Sequence, residues 1–242
     1  MSAKRISSPK TRRKILLVDD HPVTRKGLAD LINPQKDLEV CAQAGEAHQA
    51  MNAIRVYKPH LVLMDLSLPG KGGLELIKDI RAEFPGLFIL VLSLHDESVY
   101  AARTLRAGAH GYIMKDESGD SILKAIRQVL SGEGYTSAKM STTILQIFSR
   151  GRSTKSGSPL DRLTDREFDV LQLIGQGHGS RQIAQQLCLS TKTVDAHRGN
   201  IKKKLCLDSS SALIRYAVRW LESERLSPAE KAPLGKNPQS KH

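Results

Sequence analysis

The chain has 242 residues, 40% of them hydrophobic and 26% charged, and its formal net charge at pH 7 is +12. Because this length exceeds the roughly 100 to 150 residues of a typical domain, two modest cores joined by a linker are expected, and one large domain remains the alternative. The hydrophobic content is high enough to bury such cores and excludes a wholly disordered protein.

Residues 1–13 form a basic N-terminal extension without the apolar stretch of a secretory signal peptide. Nowhere does the sequence hold a run of about 18 apolar residues, which a membrane-spanning helix requires. The three cysteines, Cys41, Cys188 and Cys206, lack the spacing of a metal site or a redox pair, and their apolar neighbours indicate buried free thiols. We therefore expect a cytoplasmic protein that does not associate with membranes.

Residues 14–133 alternate short apolar runs with segments of helical periodicity, an arrangement typical of a doubly wound parallel sheet. The runs KILLV and LVLM end abruptly in acidic residues, as buried parallel strands with charged carboxyl ends do. The predicted strands are Lys14–Val18, Leu38–Ala44, Leu61–Met64, Phe88–Leu92 and Gly111–Met114. The predicted helices are Val23–Ile32, Ala47–Tyr57, Leu74–Glu83, Val99–Ala107 and Ser121–Leu130. The predicted fold class is therefore α/β, with a flavodoxin-like five-stranded parallel sheet.

Charged and polar residues follow the predicted strands, namely Asp19, Asp20, Asp65, Ser93 and Lys115. In open parallel sheets, ligands bind beyond the carboxyl ends of the strands. Three carboxylates converging there would repel one another unless a cation neutralised them, and a hard divalent ion such as Mg²⁺ takes oxygen ligands. A phosphoryl group arriving at this edge would need a hydroxyl and an ammonium group near its oxygens, which Ser93 and Lys115 supply.

Two other chemistries on such a sheet are disfavoured. A dinucleotide-binding fold requires a G-x-G-x-x-G turn after the first strand, and this chain has Asp19-Asp20-His21-Pro22 there. Phosphohydrolases with an aspartyl nucleophile, judged by resemblance to that family, carry a second acid two residues after the nucleophile, where this chain has Ser67. His21 and His95 do not form a spaced set of metal ligands and are predicted to be loop residues.

The segments VDDHPVTRKGL, LVLMDLSLPGKGGLELI, VLSLHD and GAHGYIMKD resemble the receiver domain of NarL/FixJ-family response regulators, over about residues 13–133. The resemblance implies that Asp65 accepts a phosphoryl group from the histidine of a sensor kinase. It also implies that Asp20, Asp65 and the backbone carbonyl of Ser67 hold Mg²⁺, with Asp19 assisting through water. The remaining hallmark positions, which would contact the phosphoryl group or change position on activation, are Ser93, Lys115 and Tyr112.

Residues 134–158 are predicted to be a linker, because they are rich in Gly, Ser, Thr and Lys and too polar to bury a core. Within them, the weakly apolar stretch Thr143–Phe148 could pack as a short helix on either neighbour. Residues 15–133 carry 13 basic and 16 acidic side chains, whereas residues 134–158 carry 4 and none, and residues 159–222 carry 10 and 7. This distribution is expected if only the second half binds a polyanion. Basic tails that merely aid solubility would explain the charge distribution equally well.

Residues 159–222 contain four predicted helices. A capping box formed by Thr164 and Glu167 starts the first helix, and Ser190 is a suitable cap for the third. Beyond the fourth helix, residues 223–242 are expected to form a disordered tail. The second, third and fourth helices are predicted at Arg181–Leu187, Thr191–Leu205 and Ser210–Leu221.

One face of the third helix is apolar, and the opposite face is basic and carries small residues. The inward face is Val194, His197, Ile201 and Leu205, and the outward face is Lys192, Ala196, Gly199 and Lys203. Ala196 and Gly199 would let the helix axis approach a DNA major groove closely, while the lysines would reach base edges or phosphates. A glycine inside a helix costs about 1 kcal/mol relative to alanine, so its outward placement indicates a steric requirement.

The segments LTDREFDVLQLIGQG and SRQIAQQLCLSTKTVDAHRGNIKKKL resemble the LuxR-type helix-turn-helix domain. The resemblance implies binding to double-stranded DNA and a homodimer when the protein is phosphorylated or DNA-bound, with the last helix at the dimer contact. Asp195 occupies a position where some relatives have a groove-facing lysine, and it either accepts a hydrogen bond from a cytosine amine or lowers affinity. Arg198 lies toward the inward side and suits a phosphate contact. The predicted DNA contacts are Lys192, Thr193, Asp195, Ala196, Arg198, Gly199, Lys202 and Lys203.

Together the two halves predict a DNA-binding response regulator of a two-component system, which has a sensor histidine kinase as partner and is not an enzyme. Phosphorylation would promote dimerisation or free the DNA-binding surface. One alternative is a phosphate sink or partner-binding module, which would accept phosphate rapidly without salt-sensitive DNA binding. The other is a metal-dependent phosphatase, which would turn over phosphate esters steadily but lacks the second catalytic acid.

Overall fold

The first half of the chain forms a five-stranded parallel sheet in the computed structural model, which describes residues 12–94, 97–137 and 159–225. The strand order is β2-β1-β3-β4-β5. The strands are β1 (Arg13–Val18), β2 (Leu38–Ala44), β3 (Leu61–Met64), β4 (Phe88–Ser93) and β5 (Gly111–Met114). The helices are α1 (Pro22–Ile32), α2 (Ala47–Tyr57), α3 (Gly73–Glu83), α4 (Glu97–Ala107) and α5 (Gly119–Leu130). The predicted doubly wound fold and its five strands are confirmed.

Helices cover both faces of this sheet, so each strand contributes to two hydrophobic cores. Successive side chains of a strand point to opposite faces. Ile15 and Leu17 of β1 therefore belong to the core under α1 and α5, whereas Leu16 and Val18 belong to the core under α2, α3 and α4. Burial on both faces explains why the strands are continuous apolar runs rather than alternating ones.

Strands β1 and β3 lie side by side, and their carboxyl ends adjoin. The amide of Asp65, just after β3, donates a hydrogen bond of 2.8 Å to the carbonyl oxygen of Val18, the last residue of β1. The chain passes from β1 to β2 on one side of this pair and from β3 to β4 on the other side. This reversal creates the crevice where ligands of this fold class bind.

The second half is helical. A 3₁₀ turn at Pro159–Arg162 precedes α6 (Asp165–Gly175), α7 (Ser180–Gln186), α8 (Thr191–Lys204) and α9 (Ser210–Arg225). The predicted capping box is confirmed, because Thr164 Oγ1 accepts from the Glu167 amide at 3.3 Å and Glu167 Oε2 accepts from the Thr164 amide at 2.8 Å. The core of these helices includes the fully buried side chains of Phe168, Val194, Ile201, Leu213 and Ala217.

The two halves are in contact, and their cores form one continuous apolar cluster. Helix α6 lies against α4 of the sheet domain, where the rings of Phe168 and Tyr100 meet edge to face with centroids 4.9 Å apart. Helix α4, which follows β4 at the carboxyl edge of the sheet, therefore contacts the helical half directly.

The prediction of buried thiols is wrong for two of the three cysteines. Cys188 and Cys206 are exposed, and Cys41 is partly buried. Cys188 and Cys206 each lie just past the end of a helix, in the left-handed conformation with φ of 52° and 54°. Residues at this position end the helix and leave its apolar face, so the helical periodicity that indicated burial no longer applies to them.

Helix α9 ends later than predicted, and one predicted segment cannot be compared with the structure. Helix α9 continues to Arg225, beyond the predicted end at Leu221, and Trp220 near this end packs against Phe168 with ring centroids 5.3 Å apart. The stretch Thr143–Phe148 lies outside the described residues. Within the ranges that the structure describes, no helix combines the length and apolar character needed to cross a lipid bilayer.

Candidate functional site

Three carboxylates meet at the carboxyl edge of the sheet. Asp19 and Asp20 follow β1, and Asp65 follows β3. One ligand atom from each of them, together with one from His21, lies within 4.8 Å of all the others. Asp19 and Asp65 are buried, whereas Asp20 is exposed. Carboxylate oxygens in this arrangement fit a hard divalent cation, as the sequence indicated.

Lys115 follows β5 and places its ammonium group between two of these carboxylates. Its Nζ donates to Asp19 Oδ2 at 2.6 Å and to Asp65 Oδ2 at 2.7 Å. Burial is the largest single influence on the pKa of Lys115 and lowers it, but the hydrogen bonds to the two carboxylates and the attraction of their charges together outweigh burial and raise the pKa above its usual value. Lys115 is therefore charged and neutralises part of the acidic site.

The other residues predicted for this site differ in exposure. Ser93 ends β4 and is buried, and its carbonyl oxygen accepts a hydrogen bond of 2.8 Å from the Lys115 amide. Ser67 lies two residues after Asp65 and is exposed. Tyr112 of β5 is fully buried, three residues before Lys115. Its role as an aromatic that moves on activation stays a prediction.

Helix α8 turns a basic face outward. Ser190 caps it by accepting a hydrogen bond of 3.0 Å from the Thr193 amide, and Val194 and Ile201 are fully buried on the inward face. A side chain at position 199 would meet nothing within 4 Å among the described residues, so packing within the chain does not require the glycine there. The exposed residues of the outward face are Lys192, Ala196 and Lys203.

The remaining polar residues of α8 are partly engaged within the domain. Asp195 Oδ1 accepts a hydrogen bond of 2.8 Å from Ser180 Oγ at the start of α7. Arg198 and Lys202 are partly buried. Lys204 turns inward and donates to Glu167 Oε2 at 2.6 Å, so the run of three lysines is not a uniform solvated surface.

The Glu167 carboxylate links α8 to the start of α6. Burial is the largest influence on the pKa of Glu167 and raises it, but hydrogen bonds from Lys204 and Thr164, together with the positive charge of Lys204, outweigh burial and lower the pKa. Glu167 is therefore a charged capping residue that also anchors the end of the basic helix.

Two family models match the chain, one described as a response regulator receiver domain over residues 15–127 and one as bacterial regulatory proteins of the luxR family over residues 161–217. The oxygen regulatory protein NreC of Staphylococcus aureus (strain MRSA252) is 39% identical over 210 residues, which cover 85% of this chain and 97% of NreC. This chain belongs to the NarL/FixJ family of response regulators. It is a DNA-binding response regulator of a two-component system.

Two solved structures are similar to this response regulator, one along most of its length and the other over little more than half of it. RcsB from Salmonella enterica serovar Typhimurium, bound to promoter rprA in the presence of the phosphomimetic BeF3−, is 25% identical with a TM-score of 0.63, covering 86% of this chain and 99% of RcsB. A LuxR-family two-component response regulator from Aurantimonas sp. SI85-9A1 is 34% identical with a TM-score of 0.54, covering 57% of this chain and 99% of that chain.

Two residues at the acidic site of this response regulator had no predicted role there. His21 Nδ1 lies 2.6 Å from Asp20 Oδ1 and 3.3 Å from Asp19 Oδ1, and Arg25 Nη1 donates to the Asp19 carbonyl oxygen. His21 was predicted only as a loop residue, although its position directly after two aspartates was a usable signal. Arg25 reaches the site because it lies on α1, one helical turn after His21. The prediction considered only residues that directly follow strands, so it did not include Arg25.

Proposed function

We propose that Asp65 accepts a phosphoryl group from the histidine of a sensor kinase, and that this changes how the helix-turn-helix domain binds DNA. The observation that carries the proposal is the ammonium group of Lys115 held at 2.6 and 2.7 Å between Asp19 and Asp65, in a chain that also turns a basic helix outward. Membership of the response-regulator family supports the same assignment.

The proposed transfer breaks the P–N bond of phosphohistidine and forms a P–O bond to a carboxylate oxygen of Asp65, while the released imidazole takes up a proton. Cations and hydrogen-bond donors near the phosphoryl oxygens stabilise the charge that develops on them. Lys115 would exchange its contact with Asp65 for one with the phosphoryl group and keep its contact with Asp19. Ser93 would donate its hydroxyl to another phosphoryl oxygen.

Mg²⁺ is the proposed ion of this site. Asp20, Asp65 and the backbone carbonyl of Ser67 would hold it, with Asp19 assisting through a water molecule, because these groups are the hard oxygen donors that Mg²⁺ prefers. The clustering of the three carboxylates within 4.8 Å supports the assignment. When bound, Mg²⁺ neutralises carboxylate charge and screens the phosphoryl oxygens.

We propose double-stranded DNA as the ligand of α8, and a homodimer on that DNA. RcsB was solved on promoter DNA, and Ile214 of α9 is 44% exposed, an apolar surface that a second copy could cover. The protein would act in the cytoplasm as a regulator and not as an enzyme. The residues proposed to contact DNA are Lys192, Thr193, Asp195, Ala196, Arg198, Gly199, Lys202 and Lys203.

The proposed division of the chain assigns residues 1–13 to a basic extension, 14–133 to the receiver domain and 134–158 to the linker. The predicted helix-turn-helix domain spans residues 159–222, and the predicted tail spans residues 223–242. The family matches at residues 15–127 and 161–217 support two folded units. Because α9 runs to Arg225, we place the end of the second unit at that residue.

The phosphoacceptor assignment is tested by labelling the full-length protein with phosphoramidate and Mg²⁺ and mapping the phosphoryl adduct by mass spectrometry. We expect the adduct on the peptide that contains Asp65, and no adduct in Asp65→Ala. Asp30→Ala, which removes an exposed acid of α1, serves as the matched control and should label like the wild type. Equal labelling of Asp65→Ala would refute the assignment.

A further inference from the structure

A cavity of about 550 Å³ opens at the amino-terminal edge of the receiver sheet, at the opposite end of the strands from Asp65. Arg13 at the start of β1 and Phe88 at the start of β4 line it, together with residues 58–60 and 84–87, which precede β3 and β4. Pockets that bind small molecules typically measure about 300 to 1,000 Å³. The cavity is therefore large enough for a ligand of that class.

Much of the lining of this cavity is apolar, and it includes two aromatic rings. Ile54 and Leu87 are buried beneath it, and Pro59, Phe84 and Phe88 add to the apolar surface. Phe84 and Phe88 are only partly buried, so part of each ring remains accessible. Aromatic rings attract a further ring through offset or edge-to-face contacts, beyond the effect of the area that they bury. The lining therefore suits a ligand with an aromatic body.

The cavity also carries an excess of positive charge. Arg13 and Lys58 line it, both are exposed, and neither forms an ion pair with an acid in the described part of the chain. Arg55 lines it as well, but Glu83 holds its guanidinium through two hydrogen bonds of 2.8 Å. The charge of Arg55 is therefore balanced, and those of Arg13 and Lys58 remain for an anion.

His60 adds a hydrogen-bond donor to the same lining. Its Nδ1 accepts a hydrogen bond of 3.0 Å from the Lys14 amide, so this nitrogen carries no proton. Burial lowers the pKa of His60, and the charges of Arg13 and Lys14 lower it further. The charge of Glu39 opposes them only in part. His60 is therefore neutral near pH 7, and its proton lies on Nε2, which can donate to an anion.

The N-terminal segment of the chain is a poor occupant for this cavity. Residues 1–11 precede Arg13 closely in the sequence, and they carry three basic side chains and no acidic one. Like charges that are brought together in a contact disfavour it. The charges of the cavity therefore favour a separate, negatively charged molecule.

We propose that this cavity binds a small aromatic carboxylate. The aromatic body would lie against the rings of Phe84 and Phe88. The carboxylate would accept hydrogen bonds from Arg13, Lys58 and Nε2 of His60. In such pockets the apolar lining supplies most of the contact area, and a few polar groups fix the orientation of the ligand. The inference goes beyond the proposed function and does not depend on it, because the acidic site lies at the other edge of the sheet.

Two fluorescent probes that differ mainly in charge test the proposal in the full-length protein. Anilinonaphthalene sulfonate is an aromatic anion whose sulfonate oxygens stand in for those of a carboxylate. Phenylnaphthylamine has the same rings without the sulfonate. We expect the anion to bind at least about fivefold more tightly than the neutral probe, the factor that one favourable exposed ion pair supplies.

Two variants that remove a charge locate this difference. Arg13→Gln and Lys58→Gly should each weaken binding of the anion about fivefold and change binding of the neutral probe less than about twofold. Lys58→Gly should fold at least as well as the wild type, because Lys58 has a φ of 48°, which glycine adopts more readily. Lys124→Gln, at an exposed position of α5, is the matched control and should bind both probes like the wild type.

Two further measurements locate the site and identify the ligand class. Amide resonances of residues 58–60 and 84–87 should shift when the anionic probe is added to the isotope-labelled protein. Phenylacetate should displace the probe, whereas inorganic phosphate at the same concentration should not, because phosphate has no apolar body to cover the lining.

Any of four results would overturn the inference. Equal affinity for the two probes would remove the requirement for an anion. Unchanged binding of the anion by both Arg13→Gln and Lys58→Gly would remove these side chains from the site. Displacement by phosphate as effective as that by phenylacetate would leave a simple anion site. Amide shifts confined to other regions would place the probe elsewhere, and none of these results would alter the assignment of Asp65.

Discussion

Replacing Lys115 with methionine is expected to destabilise the receiver by about 3 to 5 kcal/mol in metal-free buffer, the range for removing one partner of a buried ion pair. The Lys115 side chain is 11% exposed, and the two carboxylates that it contacts at 2.6 and 2.7 Å are 3% and 4% exposed. Methionine keeps most of the apolar stem and removes the charge. Asp19 and Asp65 are then left as buried, mutually repelling carboxylates without the cation between them.

Mg²⁺ should recover part of this loss. An ion that binds only the folded state adds about 2.7 kcal/mol at a hundred times its Kd. Because the variant site has one positive charge fewer, we expect Mg²⁺ to stabilise Lys115→Met more than the wild type. Urea unfolding at neutral pH, followed by circular dichroism with EDTA or with Mg²⁺, measures both effects, and Lys124→Met at an exposed position of α5 is the control. The reasoning is refuted if Lys115→Met loses less than about 1 kcal/mol or gains no more from Mg²⁺ than the wild type.

Three further predictions concern the second domain. Thr164→Ala removes the cap of α6 and should lower the free energy of unfolding by about 1 kcal/mol in urea titrations, with no change expected for Thr191→Ala. Burial raises the pKa of Asp169 to about 7 when the two domains are docked, so the docked population should fall as pH rises from about 4 to 7 and level off above it. Fluorescence of Trp220, the one tryptophan of the chain, should report this, and Asp169→Asn should abolish the pH response. Lys203→Met should weaken DNA binding uniformly across sequences and reduce the slope of log affinity against log salt by about 1, whereas an unchanged slope would exclude a phosphate contact at this position.

Local features of the chain could be predicted because their causes are local. Apolar runs that end in acids located the strands and their carboxyl ends, since parallel strands buried on both faces need continuous hydrophobicity. Thr164 and Glu167, which lie three residues apart in the sequence, identified the start of α6 as a capping box. The clustering of Asp19, Asp20 and Asp65 followed from the rule that ligands bind at this edge of such a sheet.

The contact between the domains could not be predicted from the sequence. Tyr100 and Phe168 look like ordinary core positions of two separate helices, and nothing in their spacing indicates that they meet each other. The same is true of Gly72 and Asp169, whose close approach depends on how two folded surfaces fit together. Periodicity assigns a residue to an inward or outward face, but it does not identify a partner that lies in the other domain. Cys188 shows a related failure, because one residue in the left-handed conformation breaks the helical period.

The most direct test of the account measures the affinity of the full-length protein for its DNA operator, selected from a random duplex library, with and without phosphoramidate and Mg²⁺. We expect phosphorylation to change the affinity of the wild type and to leave that of Asp65→Ala unaltered. Equal affinity of the wild type in both conditions, or an equal response from Asp65→Ala, would contradict the claim that phosphate on this residue controls DNA binding.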